Sequence, residues 1–234
     1  MGSRIGRYNF EKAQKTNNGK SLIKCTYEIK DYDEKQIING RFGAYVNEDI
    51  ESKIHIWNNN KKEKLIYKKK FNKLGLNTVY FAIEKKMNNL SFIFNDCSSL
   101  QQIQFINPQT EEVIQMCGMF NGCNELESID LTNFDTSNVT DMTGMFIGCH
   151  KLKEIKGIDK FNTSKVKNME AMFKACNEIE FLNLISFDTS IVDDMSSMFN
   201  ECHKLKEIQG IENLIHLKSK IWRQCFNNAM KLNI

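Results

Sequence analysis

From about residue 90 onward, apolar and polar positions follow one pattern that returns every 26 or 27 residues. Aligned on Phe-x-x-Cys, the copies are Phe94 to Cys97, Phe120 to Cys123, Phe146 to Cys149, Phe173 to Cys176 and Phe199 to Cys202. A worn sixth copy puts Phe226 in register and Ala229 at the cysteine position. Each copy has three parts. The first is Leu-x-x-Ile-x-Leu, as in Leu126, Ile129 and Leu131; it recurs at Leu152, Ile155 and Ile158, at Ile179, Leu182 and Leu184, and at Leu205, Ile208 and Ile211. Apolar residues two apart predict a short strand. The second is Phe-Asp-Thr-Ser (Phe134 to Ser137, Phe187 to Ser190, and Phe161-Asn-Thr-Ser164), whose polar residues form turns and helix N-caps. The third is Val-x-x-Met-x-x-Met-Phe, at Val139, Met142, Met145 and Phe146 and again from Val166 and Val192. Offsets of 0, 3, 6 and 7 predict one face of a short helix.

No copy can bury its apolar face alone, so the copies are expected to stack and share a core. The expected architecture is α/β, with a parallel sheet on one side and short helices on the other. At about 4.8 Å per strand, five or six repeats make a slab roughly 25–30 Å long. The string Phe-Asp-Thr-Ser-x-Val-x-x-Met-x-x-Met-Phe-x-x-Cys-x-x-Leu resembles the BspA-like leucine-rich repeats, in the variant common in mycoplasmal and other bacterial surface proteins and in protists. The resemblance covers residues 90–211, with Pro108 standing where the first copy should have Phe. It implies a leucine-rich-repeat solenoid and an adhesive or binding role, mostly at cell surfaces. The chain departs from that setting: Met1 to Lys20 lacks the apolar stretch of a secretory signal.

The expected domains are a polar tail (1–19), a β-rich N-terminal cap (20–86) and the solenoid (87–234). In the cap, Leu22 to Tyr27, Ile54 to Trp57, Leu65 to Tyr67 and Val79 to Ile83 carry strand patterns. Asn58-Asn59-Asn60 suggests a hairpin turn. Gly75 to Phe94 reads as a bridging first repeat, with a strand near Val79–Ile83 and a helix over Leu90–Phe94. A solenoid needs its open end covered, and this module is the simplest cover.

Net charge is only +3 but unevenly placed. Residues 1–86 hold 19 Lys/Arg against 10 Asp/Glu, a net of +9; residues 87–234 hold 13 against 19, a net of −6. Such asymmetry speaks of partners. No apolar run approaches the roughly 18 residues that span a bilayer as a helix.

Candidate chemistry is thin. Cys97, Cys123, Cys149, Cys176 and Cys202 share one repeat position. Zinc needs ligands converging tetrahedrally, whereas stacked side chains point in parallel. Packing is therefore the expected role, with Phe94, Phe120, Phe146, Phe173 and Phe199 beside them in the core. Parallel vectors also disfavour disulfides, and reduced thiols fit a cytoplasmic setting. Cys149-His150 and Cys202-His203 are adjacent in sequence, which does not bring a catalytic pair together in space. No metal, cofactor or catalytic residue is expected.

On the strand face, one exposed column runs Gln101, Glu127, Lys153, Glu180, Lys206, alternating in sign as a self-satisfied ladder would. The next runs Gln102, Ser128, Glu154, Phe181, Glu207. Phe181 is an aromatic where water is expected, a candidate contact with a partner, beside Glu154. The basic segment Lys61, Lys62, Lys64, Lys68, Lys69, Lys70 and Lys73, set against Glu63, is the second candidate contact, suited to an acidic surface on a protein. Nucleic acid is the lesser alternative, because aromatic interleaving is limited to Tyr67 and Phe71. A polar tail orders only when something ties it down, so the expected function is a non-enzymatic binding subunit in a larger assembly. A cell-surface adhesion module is the alternative, and a thiol-dependent enzyme the remote one.

Overall fold

In the computed structural model, which describes residues 21–58, 61–214 and Cys225, the alternation in the cap produces β1 (Ser21–Ile29), which buries Ile23, Cys25, Tyr27 and Ile29 along one face. Eight short elements follow: β2 (Lys35–Gln36), β3 (Arg41–Phe42), β4 (Tyr45–Val46), α1 (Glu48–Lys53), β5 (Ile54–Asn58), β6 (Lys61–Glu63), β7 (Lys68–Lys69) and β8 (Gly75–Ile83). The repeats add β9 (Leu100–Ile106), β10 (Ser128–Asp130), β11 (Glu154–Lys156), β12 (Phe181–Asn183) and β13 (Glu207–Gln209). Helix α1 has no counterpart among the sequence expectations. Asn47 caps it by accepting the Asp49 N–H (3.2 Å), and Lys53 pairs with Asp49 across one turn (2.8 Å).

One sheet runs β11-β10-β9-β1-β8-β5-β6. β9, β10 and β11 pair in parallel, while β1 lies antiparallel to both β8 and β9. The strand expected near Val79–Ile83 exists as part of β8, but it does not begin the parallel ladder, because β1 inserts between it and β9. Leu65 to Tyr67, expected as a strand, is irregular; the pairing residues are Lys68–Lys69, against Lys35–Gln36. The tail at 1–19, Asn59 and Asn60 of the expected turn, and the sixth copy with Phe226 and Ala229 lie outside the described residues. Cys225 belongs to that copy: its C=O accepts the Phe199 N–H (2.9 Å), as the Met198 C=O accepts that of Phe173 (2.9 Å).

The described chain is mostly β, with little helix and no closed barrel. The helices expected at Val139–Phe146 and its equivalents are absent, which overturns the α/β expectation. The segment instead runs as consecutive turns. Met119, Asn121 and Cys123 donate to carbonyls three residues back, while Met116, Gly118, Phe120 and Gly122 donate to Asp141, Thr143, Met145 and Ile147 of the next repeat at 2.7–2.9 Å. An α-helix satisfies its N–H groups internally; here alternate groups serve the neighbouring repeat. The geometry needs a left-handed residue at every fourth position, supplied by Gly118 (φ 56°) and Gly122 (φ 74°) in one repeat and by Ala171 and Ala175 in another. Val139, Met142, Met145 and Phe146 are nevertheless fully buried, so the apolar period was sound although the backbone inferred from it was not.

Phe-Asp-Thr-Ser fastens repeat to repeat. The buried Thr163 hydroxyl donates to the Asp188 C=O (2.9 Å) and accepts the Asp188 N–H (2.7 Å), and Thr136 does the same with Asn162. At the N-terminal end, the turn wall leaves the carbonyls of Asn89, Ser91, Ile93 and Asn95 facing the head. Asn39 donates to Ile93 through its N–H (2.7 Å) and to Asn95 through Nδ2 (2.9 Å); Asn47 Nδ2 reaches Ser91 (2.9 Å) and Asn89 (3.2 Å). Two asparagines thus close the first rung.

Candidate functional site

The interior columns come first because they decide which residues face outward. Phe94, Phe120, Phe146, Phe173 and Phe199 stack with ring centroids 5.6–5.8 Å apart. The cysteines lie fully buried beside them. Four of the five thiols donate to a phenylalanine carbonyl of the preceding repeat: Cys123 to Phe94 (3.1 Å), Cys149 to Phe120 (3.2 Å), Cys176 to Phe146 (3.2 Å), Cys202 to Phe173 (3.0 Å). Burial pushes all of these thiols up, Cys202 to about 12. Cys149 and His150 point to different partners, His150 Nδ1 lying 3.1 Å from the Ala175 C=O. Among the described residues no group of three or more His, Cys, Asp or Glu is placed to hold a metal.

With Ile103, Ile129 and Ile155 turned inward, the alternate residues form the outer face. Thr26, Gln102, Ser128 and Glu154 make one column across β1, β9, β10 and β11; Lys24, Gln104, Asp130 and Lys156 make the next. All of these except Glu154 line a polar groove of about 310 Å³. Thr132 donates to Asp130 from its N–H (3.0 Å), and this bond, with lesser help from Lys156 and Lys160, holds the Asp130 carboxyl below its ordinary range.

The ladder parts beyond β11. β12 pairs only with β13, and β11 ends its sheet. Two of the closed junctions carry a glycine at the strand end. Gly157 (φ 82°) lies so close over Thr132 that a Cβ there would sit 2.4 Å from the Thr132 Cα; Gly210 (φ 81°) lies likewise on Ile185. Each glycine lets its repeat settle onto the one before, joining β10 to β11 and β12 to β13. The repeat containing β12 has Leu184 at this place and its junction with β11 is open, although β10, with Leu131 there, pairs with β9. The resulting cleft, about 580 Å³, is lined by Lys153, Glu154, Lys156, Lys160, Phe181 and Asn183 among others. Phe181 is 48 % exposed, in the strand phase expected of it.

Of the sign-alternating column, Lys206 pairs with Glu180 (2.6 Å) and Gln101 donates to Glu127 (3.3 Å). Ion pairs absent from the sequence expectations lie two residues before the column's members, Lys151–Glu125 (2.6 Å) and Lys204–Glu178 (2.8 Å). Their 26-residue spacing was the available signal.

The lysines do not form one hairpin. Lys61 and Lys62 lie on β6 at the far edge of the large sheet, Lys62 paired with Glu84 (2.7 Å). Lys68 and Lys69 belong to the separate β2–β7 pair, where Lys69 sits 5.9 Å from the centre of the Phe71 ring. Lys64, Lys68, Lys70 and Lys73 are exposed. Strand order puts β6 six strands from β11, roughly 29 Å at normal strand spacing, so Lys61 and Lys62 and the strand-face cleft are separate surfaces.

Three overlapping stretches, residues 7–123, 63–157 and 115–234, match a family described as Mycoplasma protein of unknown function, DUF285. The chain belongs to the DUF285 family. The DUF285 match runs through the head and the repeats alike, and it agrees at this level with the mycoplasmal repeat resemblance of residues 90–211. No curated protein and no solved structure matches this DUF285 chain. No helix among its described residues is long and apolar enough to cross a membrane.

Proposed function

We infer that this DUF285 chain is a leucine-rich-repeat-type solenoid that works by holding another macromolecule, as an accessory subunit of a larger assembly, and that it performs no reaction of its own. The observation that carries this reading is Phe181. Every phenylalanine of the Phe-x-x-Cys position is fully buried, yet Phe181 stands half out of the strand face above a cleft. A large exposed aromatic in a concavity is what a protein contact uses as an anchor. The lysines of β6 and β7 supply a second, electrostatic contact to an acidic partner. Supporting the non-enzymatic reading, burial raises the repeat thiols, so little thiolate is available for attack at neutral pH. Eight free cysteines suit a reducing, cytoplasmic setting.

The test is sedimentation of extract from the organism that makes the protein. Wild type should travel in a particle well above its own mass. Phe181→Ala should move it toward the free chain without a change in melting temperature. The reading fails if wild type travels alone, or if Phe181→Ala leaves its migration unchanged.

A further inference from the structure

We propose that the cleft between β11 and β12 is a peptide-binding slot, taking an extended segment in which a large apolar side chain is flanked by carboxylates. The proposal rests on the reading above that the strand face is a contact surface, and it names what that surface grips. Three observations converge. The main-chain edges of β11 and β12 that face the cleft have no partner strand among the described residues, and such edges recruit extended chain. Phe181 offers an exposed aromatic wall at the same place, suited to an apolar side chain. Three lysines, Lys153, Lys156 and Lys160, line the same cleft. Lys156 is only loosely paired, with Glu154 at 3.9 Å, and Lys153 and Lys160 make no salt bridge among the described residues. Glu154 and Asp159 are the acids of the lining, so lysines outnumber carboxylates there and the slot prefers anionic flanks.

The probe is a fluorescein-labelled peptide, Ac-Gly-Glu-Phe-Glu-Gly, titrated with the full chain by anisotropy. Control peptides carry Lys for both Glu, or Ala for Phe. The acidic aromatic peptide should bind best of the three. Phe181→Ala should weaken it about fivefold. Lys153→Glu with Lys160→Glu should weaken it about tenfold at low salt, and less as salt rises. Lys174→Glu, on the turn wall, should bind as wild type does. Phe181→Leu, with an intermediate loss, separates a lost contact from a lost fold. The slot is refuted if the lysine peptide binds equally well, if the cleft variants bind within about twofold of wild type, or if the signal comes from the chain pairing with itself. Suppose no peptide binds, yet Phe181→Ala still releases the chain from its particle: the slot fails and the contact surface stands. If Phe181→Ala changes neither, both fail.

Discussion

Cysteine recurs because its position needs both a small apolar volume and a donor. The carbonyls of Phe94, Phe120, Phe146 and Phe173 each accept an N–H within their own turn, as Phe120 does from Cys123 (3.1 Å), and the thiol of the next repeat fills the second lone pair. Cys149→Ala should therefore cost about 1–3 kcal/mol, in packing and in this bond, and Phe146→Ala about 3–5 kcal/mol; urea denaturation reads both. The burial of these residues was legible in their period. The donor role was not, because its acceptor lies 29 residues earlier and takes no part in any local pattern. Asp135 and Asp188 make a second case. Each accepts a serine N–H two residues on, and the bonds from Ser137 and Ser190 hold their carboxyls below the ordinary range. A lowered folded-state value contributes stability above the ordinary carboxylate range, and loses it as pH falls through the folded value. Asn162 fills the same role without titrating. Asp135→Asn with Asp188→Asn should leave the melting temperature nearly unchanged at neutral pH and flatten its fall below about pH 4. An acid limb identical to wild type would show that these turns carry none of the acid sensitivity.

At the scale of elements, the Val-x-x-Met-x-x-Met-Phe spacing fits a helix and a ribbon of turns equally well, since both bury offsets 0, 3, 6 and 7. What separates them is the recurrence of residues able to turn left-handed, Gly118 and Gly122, Gly144 and Gly148. Alanine and serine occupy the same places in later copies and hide the signal. The strands, set by β-branched and aliphatic alternation, were legible, and so was the phase that exposes Phe181. The break between β11 and β12 was not, since the strand pattern of Leu182 and Leu184 is the same as in the paired copies. The closure of the first rung was equally hidden, resting on two asparagines among many. Asn47 is buried and serves two carbonyls at once. Asn47→Ala should cost about 1–3 kcal/mol for each carbonyl left dry, with the loss of the α1 cap added. Hydrogen exchange should show protection lost first in residues 89–95; uniform loss along the whole stack would argue against a local cap.

At the scale of the whole molecule, charge was legible and its layout only in part. Lys61 and Lys62 on β6 and Lys68 and Lys69 on β7 belong to two separate sheets instead of one hairpin. Lys68→Glu, Lys69→Glu and Lys70→Glu together should weaken association with the native particle at low salt, the deficit shrinking as salt rises. A salt series in which wild type and triple variant run parallel would remove β7 from the contact. The head also meets a field that the fold itself creates. In the turn wall, Gln115, Cys117, Met119 and Asn121 point their carbonyls back toward the head, while Met116, Gly118, Phe120 and Gly122 point their N–H groups away from it, and successive repeats preserve that sense. Each peptide unit is a dipole of about 3.5 D, and here they add across the stack, as in an α-helix but along an axis perpendicular to the chain. The negative pole lies at the first rung, where the carbonyls of Asn89, Ser91, Ile93 and Asn95 face the head. The head meets that pole with the N–H of Asn39 and the amide groups of Asn39 and Asn47, so its docking draws on a field that the whole stack adds up.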